Sequence, residues 1–248
     1  MNPDGHLTDY LTNEAVKVIE KNKNRPFFLY LAYWAVHSPL QAKKEDYEKL
    51  SFIENHDERV LASMVMTVDR GVGKIRDVLK KNNIDDNTII IFTSDNGAPG
   101  YIGLPDLNKP YRGWKLTHFE GGVHVPFIVS YPNKIPKGTT YNGRVSNLDI
   151  LSTVASVAGV DMNRNDLKEI KFDGANVLPY LIGENEGEPQ RVLFNKSGNY
   201  SFIIKEGWKL QVDLVQNKKW LYNLNEDPTE QELSLIHISE PTRRYAIS

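Results

Sequence analysis

The spacing of apolar residues changes along the chain, and each change marks an element. Leu61, Val65, Val68, Val72, Ile75 and Leu79 recur in steps of four and three, one stripe of a long helix. Asp69, Arg70, Lys74, Arg76, Asp77, Lys80 and Lys81 occupy its other side, and Asn82-Asn83 ends it. A shorter helix is predicted from Thr8 to Asn22, with Leu11, Ala15, Val18 and Ile19 in register and Thr8, Asp9 or Thr12 as cap. A third runs from Asn147 to Ala158, with Leu148, Leu151, Val154 and Ala155 inward and Gly159 as its stop. Between the helices lie apolar-rich runs over Phe27–Ala35, Thr88–Ser94 and Val123–Tyr131, predicted strands; the first reads as buried on both faces.

From Thr8 to Gly159 the order is helix–strand–helix–strand–strand–helix, which predicts an α/β fold with a largely parallel sheet flanked by helices. From Arg191 the period shortens to two in R-V-L-F-N, S-F-I-I-K, W-K-L-Q-V and K-W-L-Y-N-L, separated by Gly and Asn. These predict a small antiparallel sheet over 190–232. The polar stretch G-E-N-E-G-E-P divides it from the α/β part, taken as 1–183. Gly97 to Glu120 is a long loop rich in Gly, Pro and Asn, and such loops inside compact domains are usually functional or disordered. Asn195-Lys196-Ser197 and Asn199-Tyr200-Ser201 match the glycosylation sequon, a pattern of low specificity.

Composition narrows the picture only a little. The chain has 248 residues, 40% hydrophobic and 25% charged, with a net charge of -2. That charge offers no footprint for nucleic acid or an anionic membrane. The chain contains no cysteine, so neither disulfides nor thiolate chemistry arise within it. The longest apolar run, Phe27 to Val36, is half what a membrane helix of roughly 20 residues needs. M-N-P-D-G-H-L-T shows no signal-peptide pattern.

Polar residues follow the predicted strands, where open α/β sheets bind ligands. The second strand runs into Ser94-Asp95-Asn96-Gly97. A carboxylate beside an amide oxygen suits a hard cation such as calcium or magnesium. The same residues also make a common Asp-Asn-Gly turn, although A-P-G-Y-I-G-L-P is no partner strand for a hairpin. His37 ends the first strand in A-V-H-S-P-L, and Lys115 lies in Y-R-G-W-K-L-T-H-F-E-G-G near Arg112. Singly, a histidine beside proline reads as packed or capping, a lysine as solvated, and Gly113, Gly121 and Gly122 as flexible loop or as close approach to a ligand.

Five stretches in order make a stronger pattern: P-F-F-L-Y-L-A-Y-W-A-V-H-S-P-L-Q-A, I-I-F-T-S-D-N-G, Y-R-G-W-K-L-T-H-F-E-G-G-V-H-V-P, L-D-I-L-S-T-V-A-S-V-A-G and W-L-Y-N-L-N-E-D-P-T-E-Q. Together they resemble the type I, formylglycine-dependent sulfatases from about Gly5 to Gln231. The resemblance implies an alkaline-phosphatase-like α/β fold with a small C-terminal antiparallel subdomain, and work outside the cytoplasm. It implies one Ca2+, with Asp95 and Asn96 as two of its ligands. It matches His37 to the histidine near the bridging ester oxygen and Lys115 to the lysine that pairs with a sulfate oxygen. The substrate class is a sulfated small molecule or glycan, with Arg112 as a further anion contact. Tyr33, Trp34, Tyr101, Trp114 and His118 are candidates to line its pocket, though aromatics near a sheet edge are more often core. Asn96 stands where two-metal phosphatases of the superfamily carry histidine, which favours a single hard cation.

The departures are as informative. The family's cysteine-derived formylglycine, its early aspartate pair and its N-terminal lysine and histidine have no counterpart here. The chain therefore reads as the C-terminal portion of a sulfatase, inactive alone, whose truncated sheet leaves an apolar face partly exposed. Ser234 to Ser248 departs from the family pattern, resembles translated sequencing-adapter read-through and reads as an unpacked tail. Two other readings stand beside this one. They are a phosphoric ester or phosphonate hydrolase on the same fold, and a non-catalytic module binding sulfated glycan or anion through Lys115, Arg112 and His37.

Overall fold

A computed structural model describes residues 5–161 and 170–233. The tail from Ser234 lies outside the described residues. The chain divides into two compact units. One takes residues up to 92 with 102–104 and 128–140, and the other takes 93–101, 105–127 and the remainder from 141.

The first unit is built on helices α1 (Leu7–Asn22), α2 (Lys44–Lys49) and α3 (His56–Lys81). The Asn55 side chain caps α3 by accepting from the Glu58 N–H, with Asp57 and Glu58 in the first turn and Lys80 and Lys81 in the last. The two long helices meet through a seam of small residues. Ser63, Thr67 and Gly71 of α3 are buried, as are Thr8, Thr12 and Ala15 of α1. A Cβ on Gly71 would lie 2.7 Å from Thr12 Oγ1 and 2.8 Å from the Tyr33 hydroxyl, so the approach depends on glycine. The predicted stripe is the buried side of α3, with Leu61, Val68 and Leu79 buried and Val72 and Ile75 half-buried; of its residues only Val65 is exposed. Arg70, predicted to be solvated, instead donates to both oxygens of fully buried Asp46 at 2.8 and 2.9 Å.

The apolar core of this unit is Ile19, Val78 and Leu79, packed with Val16, Phe27, Leu29, Ile75, Ile84 and Ile90. Strands β1 (Ile90–Thr93) and β2 (Phe127–Ser130) pair in a two-stranded sheet. The run Phe27–Ala35 departs from expectation. It is in no sheet among the described residues, and its residues alternate between half-buried and exposed. Alternation is what an extended backbone gives when one face has a partner and the other has none. Phe28, Tyr30 and Trp34 are 70%, 81% and 74% exposed, the uncovered apolar face that the sequence led us to expect.

In the second unit a short helix, α4 (Glu120–Val123), precedes β2, so the predicted strand from Val123 begins four residues later, at Phe127. Helix α5 (Asp149–Val157) ends as predicted: Gly159 has φ +74°, its N–H bonds Ser156 O, and the Val160 N–H bonds Ala155 O. Its buried face is not the predicted one. Asp149, Ser152 and Thr153 face inward while Leu148 and Leu151 are exposed. The cause is polar anchoring. Asp149 pairs with Arg191 and accepts from the Ala175 N–H, Ser152 donates to Gly174 O, and the Val177 N–H donates to Thr153.

A one-turn helix, α6 (Leu178–Leu181), leads to strands β3 (Leu193–Ser197), β4 (Tyr200–Lys205), β5 (Trp208–Asp213) and β6 (Lys218–Asn223). They form the predicted antiparallel meander in the order β3-β4-β5-β6. Ile204, Tyr222 and Leu224 make its core with Phe119, Leu193, Phe202 and Trp220. No described helix is long and apolar enough to cross a membrane.

Candidate functional site

Strand β1 delivers its polar end into a tightly held turn. Asp95 Oδ1 accepts from the Asn96 backbone N–H at 3.0 Å and from Asn96 Nδ2 at 3.1 Å. Nδ2 also donates to Gly97 O, so the amide nitrogen faces its own turn and the amide oxygen turns away. Among the described residues, neither Asp95 Oδ2 nor Asn96 Oδ1 accepts a hydrogen bond. The donor set left over is one carboxylate oxygen and one amide oxygen, both hard, which fits part of a calcium or magnesium shell. No group of three or more His, Cys, Asp or Glu able to hold a metal occurs among the described residues.

Three supports fix the turn. Asn147 donates to Ser94 O and accepts from Thr93 Oγ1, which ties down the strand end. The Gly97 N–H donates to Gly122 O at 3.0 Å. Asn108 pairs with the backbone of Ala98 as a strand would, accepting from its N–H at 2.8 Å and donating to its O at 2.9 Å. The same Ala98 oxygen accepts from the Lys115 N–H at 3.0 Å. The loop thus brings the lysine backbone to within two residues of Asn96 in bonded sequence. Glycine at 97 follows from this closeness: a Cβ there would land on the Gly121 carbonyl and lie 3.1 Å from Asn108 Oδ1.

Arg112 is held from the side of the antiparallel sheet. Its Nη1 donates to the Tyr222 hydroxyl at 3.2 Å, and its guanidinium lies over the Phe119 ring at 4.3 Å. Its carbonyl accepts from the Gly121 N–H at 2.6 Å. Arg112, Lys115, Asp95 and Asn96 therefore belong to one hydrogen-bonded assembly. His37 belongs to the other unit. It is exposed, its N–H bonds Trp34 O, and Nδ1 lies 2.7 Å from Ser38 O.

Among the predicted pocket aromatics, Trp34, Tyr101 and Trp114 are exposed, while the Tyr33 hydroxyl bonds Thr12. His118 is buried against Phe202 and Tyr200, where burial and the nearby Lys209 charge lower its pKa, so it is core. Sequence reasoning missed Asn108, Asn147, Glu120, Lys209 and Glu230. Asn and Lys at unremarkable spacing carry no signal, though E-G-G directly before a strand marks Glu120 as a residue to examine.

A family model described as Sulfatase matches residues 1–160. The chain is 37% identical over 192 residues to Uncharacterized sulfatase YdeN of Escherichia coli (strain K12), covering 76% of this chain and 33% of that protein. It is 30% identical over 230 residues to Steryl-sulfatase of Homo sapiens, covering 90% of this chain and 37% of the relative. The crystal structure of Ps i-CgsB in complex with k-i-k-neocarrahexaose superposes with a TM-score of 0.83 at 36% identity, covering 94% of this chain and 52% of the other. The chain thus spans about a third of the length of these curated relatives and about half of the solved one. An alkaline-phosphatase-like α/β architecture with a terminal antiparallel sheet, and five motifs in order, have one explanation: the chain belongs to the sulfatase family.

Proposed function

We propose that this chain is the part of a sulfate ester hydrolase that carries Asp95, Asn96, Lys115 and His37, and that it is inactive alone. The observation that carries the reading is the pair of oxygens, Asp95 Oδ2 and Asn96 Oδ1, which accept no hydrogen bond among the described residues, in a turn bonded to the backbone of Lys115. They would supply two of the six to eight oxygen ligands that Ca2+ takes. A bound dication would offset the negative charge of a sulfate group. Lys115 pairs with a sulfate oxygen, and its ammonium stabilises charge in the transition state. Arg112 adds positive charge at the base of the same loop. His37 is the residue assigned to donate a proton to the departing alcohol oxygen as the sulfur–oxygen bond breaks.

With no cysteine in these 248 residues, the formylglycine nucleophile implied by the family comes from outside them. The substrate is a sulfated small molecule or glycan; a carbohydrate partner is supported by the neocarrahexaose bound to Ps i-CgsB.

A calcium titration of the 248-residue chain, followed by backbone amide shifts, tests the metal half. Saturable changes at 94–98 with an affinity weaker than about 1 mM, lost in Asn96→Ala, are expected for a partial shell. Absence of any change up to tens of millimolar, or changes indifferent to Asn96→Ala, contradicts the assignment.

A further inference from the structure

The loop that carries Lys115 rests on a buried cluster of charges that the proposed reaction does not use. Lys209 of β5 is wholly buried, with Nζ 2.7 Å from Glu120 Oε1 and 3.0 Å from Glu230 Oε1. Both carboxyl groups are buried too. Glu230 reaches across to accept the Glu120 backbone N–H, and Glu120 Oε2 lies 3.0 Å from His124 Nδ1. His124 in turn stacks on Tyr111 at 4.2 Å. Three segments far apart in sequence thus meet at one ammonium: the start of α4, strand β5 and the turn after β6.

One lysine cannot neutralise two carboxylates, and the two respond differently. Burial pushes Glu230 upward more than Lys209 pulls it down. Burial also acts on Glu120, but His124 and Lys209 together outweigh it and hold that carboxyl below its usual range. Both carboxyl groups meet the Lys209 ammonium, and Glu230 also accepts the Glu120 N–H.

What makes this more than core packing is what Glu120 is joined to. Its neighbours Gly121 and Gly122 hold Arg112 O and the Gly97 N–H. A Cβ on Gly122 would lie 2.6 Å from Trp114 O. A shift of Glu120 therefore displaces the Asp95–Asn96 turn and the Lys115 loop together. We propose that Lys209 is a positioning residue: through Glu120 and Glu230 it fixes the Lys115 loop against the Asp95–Asn96 turn, which makes the C-terminal sheet a working part of the anion site. This rests on the reading of Lys115 as a sulfate contact.

The test uses the full 248-residue chain and two variants, Lys209→Met and the shape-conserving Glu120→Gln, which serves if the first does not fold. Two quantities are read: amide hydrogen exchange, and the affinity for inorganic sulfate titrated as its sodium salt. At least about tenfold faster exchange at Gly97, Lys115, Gly121 and Gly122, with the Ala158 amide of α5 unchanged, is expected for local opening. Sulfate affinity should fall by at least about tenfold in variants that remain folded. Parent-like exchange at the loop, uniform loss of protection across the second unit, or unaltered sulfate affinity overturns the proposal. If the parent itself binds no sulfate, the sulfate role of Lys115 fails and this proposal falls with it; loop exchange then shows whether the charges still brace the loop.

Discussion

The seat of Gly97 makes a prediction whose size follows from distances. In Gly97→Ala the new methyl group meets the Gly121 carbonyl carbon at 2.9 Å, and its oxygen closer still. Ordinary contacts lie near 3.5–4.0 Å, so the two main chains must part by on the order of 1 Å. That opens the 3.0 Å bond from the Gly97 N–H to Gly122 O, worth about 1 kcal/mol. Overpacking adds roughly 1–3 kcal/mol. The residue's φ is not in the left-handed region, so the cost is one of space rather than backbone conformation. A total loss of about 2–4 kcal/mol is expected. Gly73→Ala is the control. It lies inside α3 with nothing within 4 Å of the new Cβ, so the same substitution should stabilise by about 0.5–1 kcal/mol. Urea unfolding of both variants measures the pair. Equal stability of Gly97→Ala and the parent would refute the idea that the Asp95–Asn96 turn is clamped against α4.

Two further outcomes follow from the first unit. Arg70 holds Asp46 down against burial, with help from Thr67, from 3.8 to about 2. A depressed carboxylate contributes stability above its unfolded value, and that contribution fades as pH falls from 3.8 toward 2. The shift corresponds to at most about 2 kcal/mol, because Arg70 is 32% exposed and partly screened. Asp46→Asn should lose this amount at pH 7 and flatten the acid limb of the stability curve; an unchanged acid limb counts against the clamp. Replacing Phe28, Tyr30 and Trp34 together by Ser should reduce dye binding and self-association. Stability should change by less than about 0.5 kcal/mol for each, because these side chains are exposed. A loss of several kcal/mol in urea would show that the face is covered.

Long periodic patterns were legible as elements, less so as faces. Helices α1, α3 and α5 stand where the apolar spacing puts them, and the meander follows its alternation. The inward faces were misjudged where polar anchors outweigh hydrophobicity. Asp149 and Arg191 turn α5 so that Leu148 and Leu151 face out. A buried salt bridge between residues 42 apart leaves no periodic trace. The run Phe27–Ala35 reads as a two-sided strand because its composition is that of one, yet sheet pairing depends on neighbours that a single segment does not encode. Motif order singled out Asp95, Asn96 and Lys115, which the fold joins in one hydrogen-bonded loop assembly. Asn108, Asn147 and Lys209, which hold them, act through side-chain bonds that only the fold brings into reach.

The most direct test is turnover of an aryl sulfate and its matched aryl phosphate by this chain extended to the full length of its sulfatase relatives. The account predicts preferential sulfate ester hydrolysis, lowered about 10²–10³-fold by Lys115→Ala, and none by the 248-residue chain alone. Preference for the phosphate ester, full activity in Lys115→Ala, or turnover by the isolated chain would contradict it.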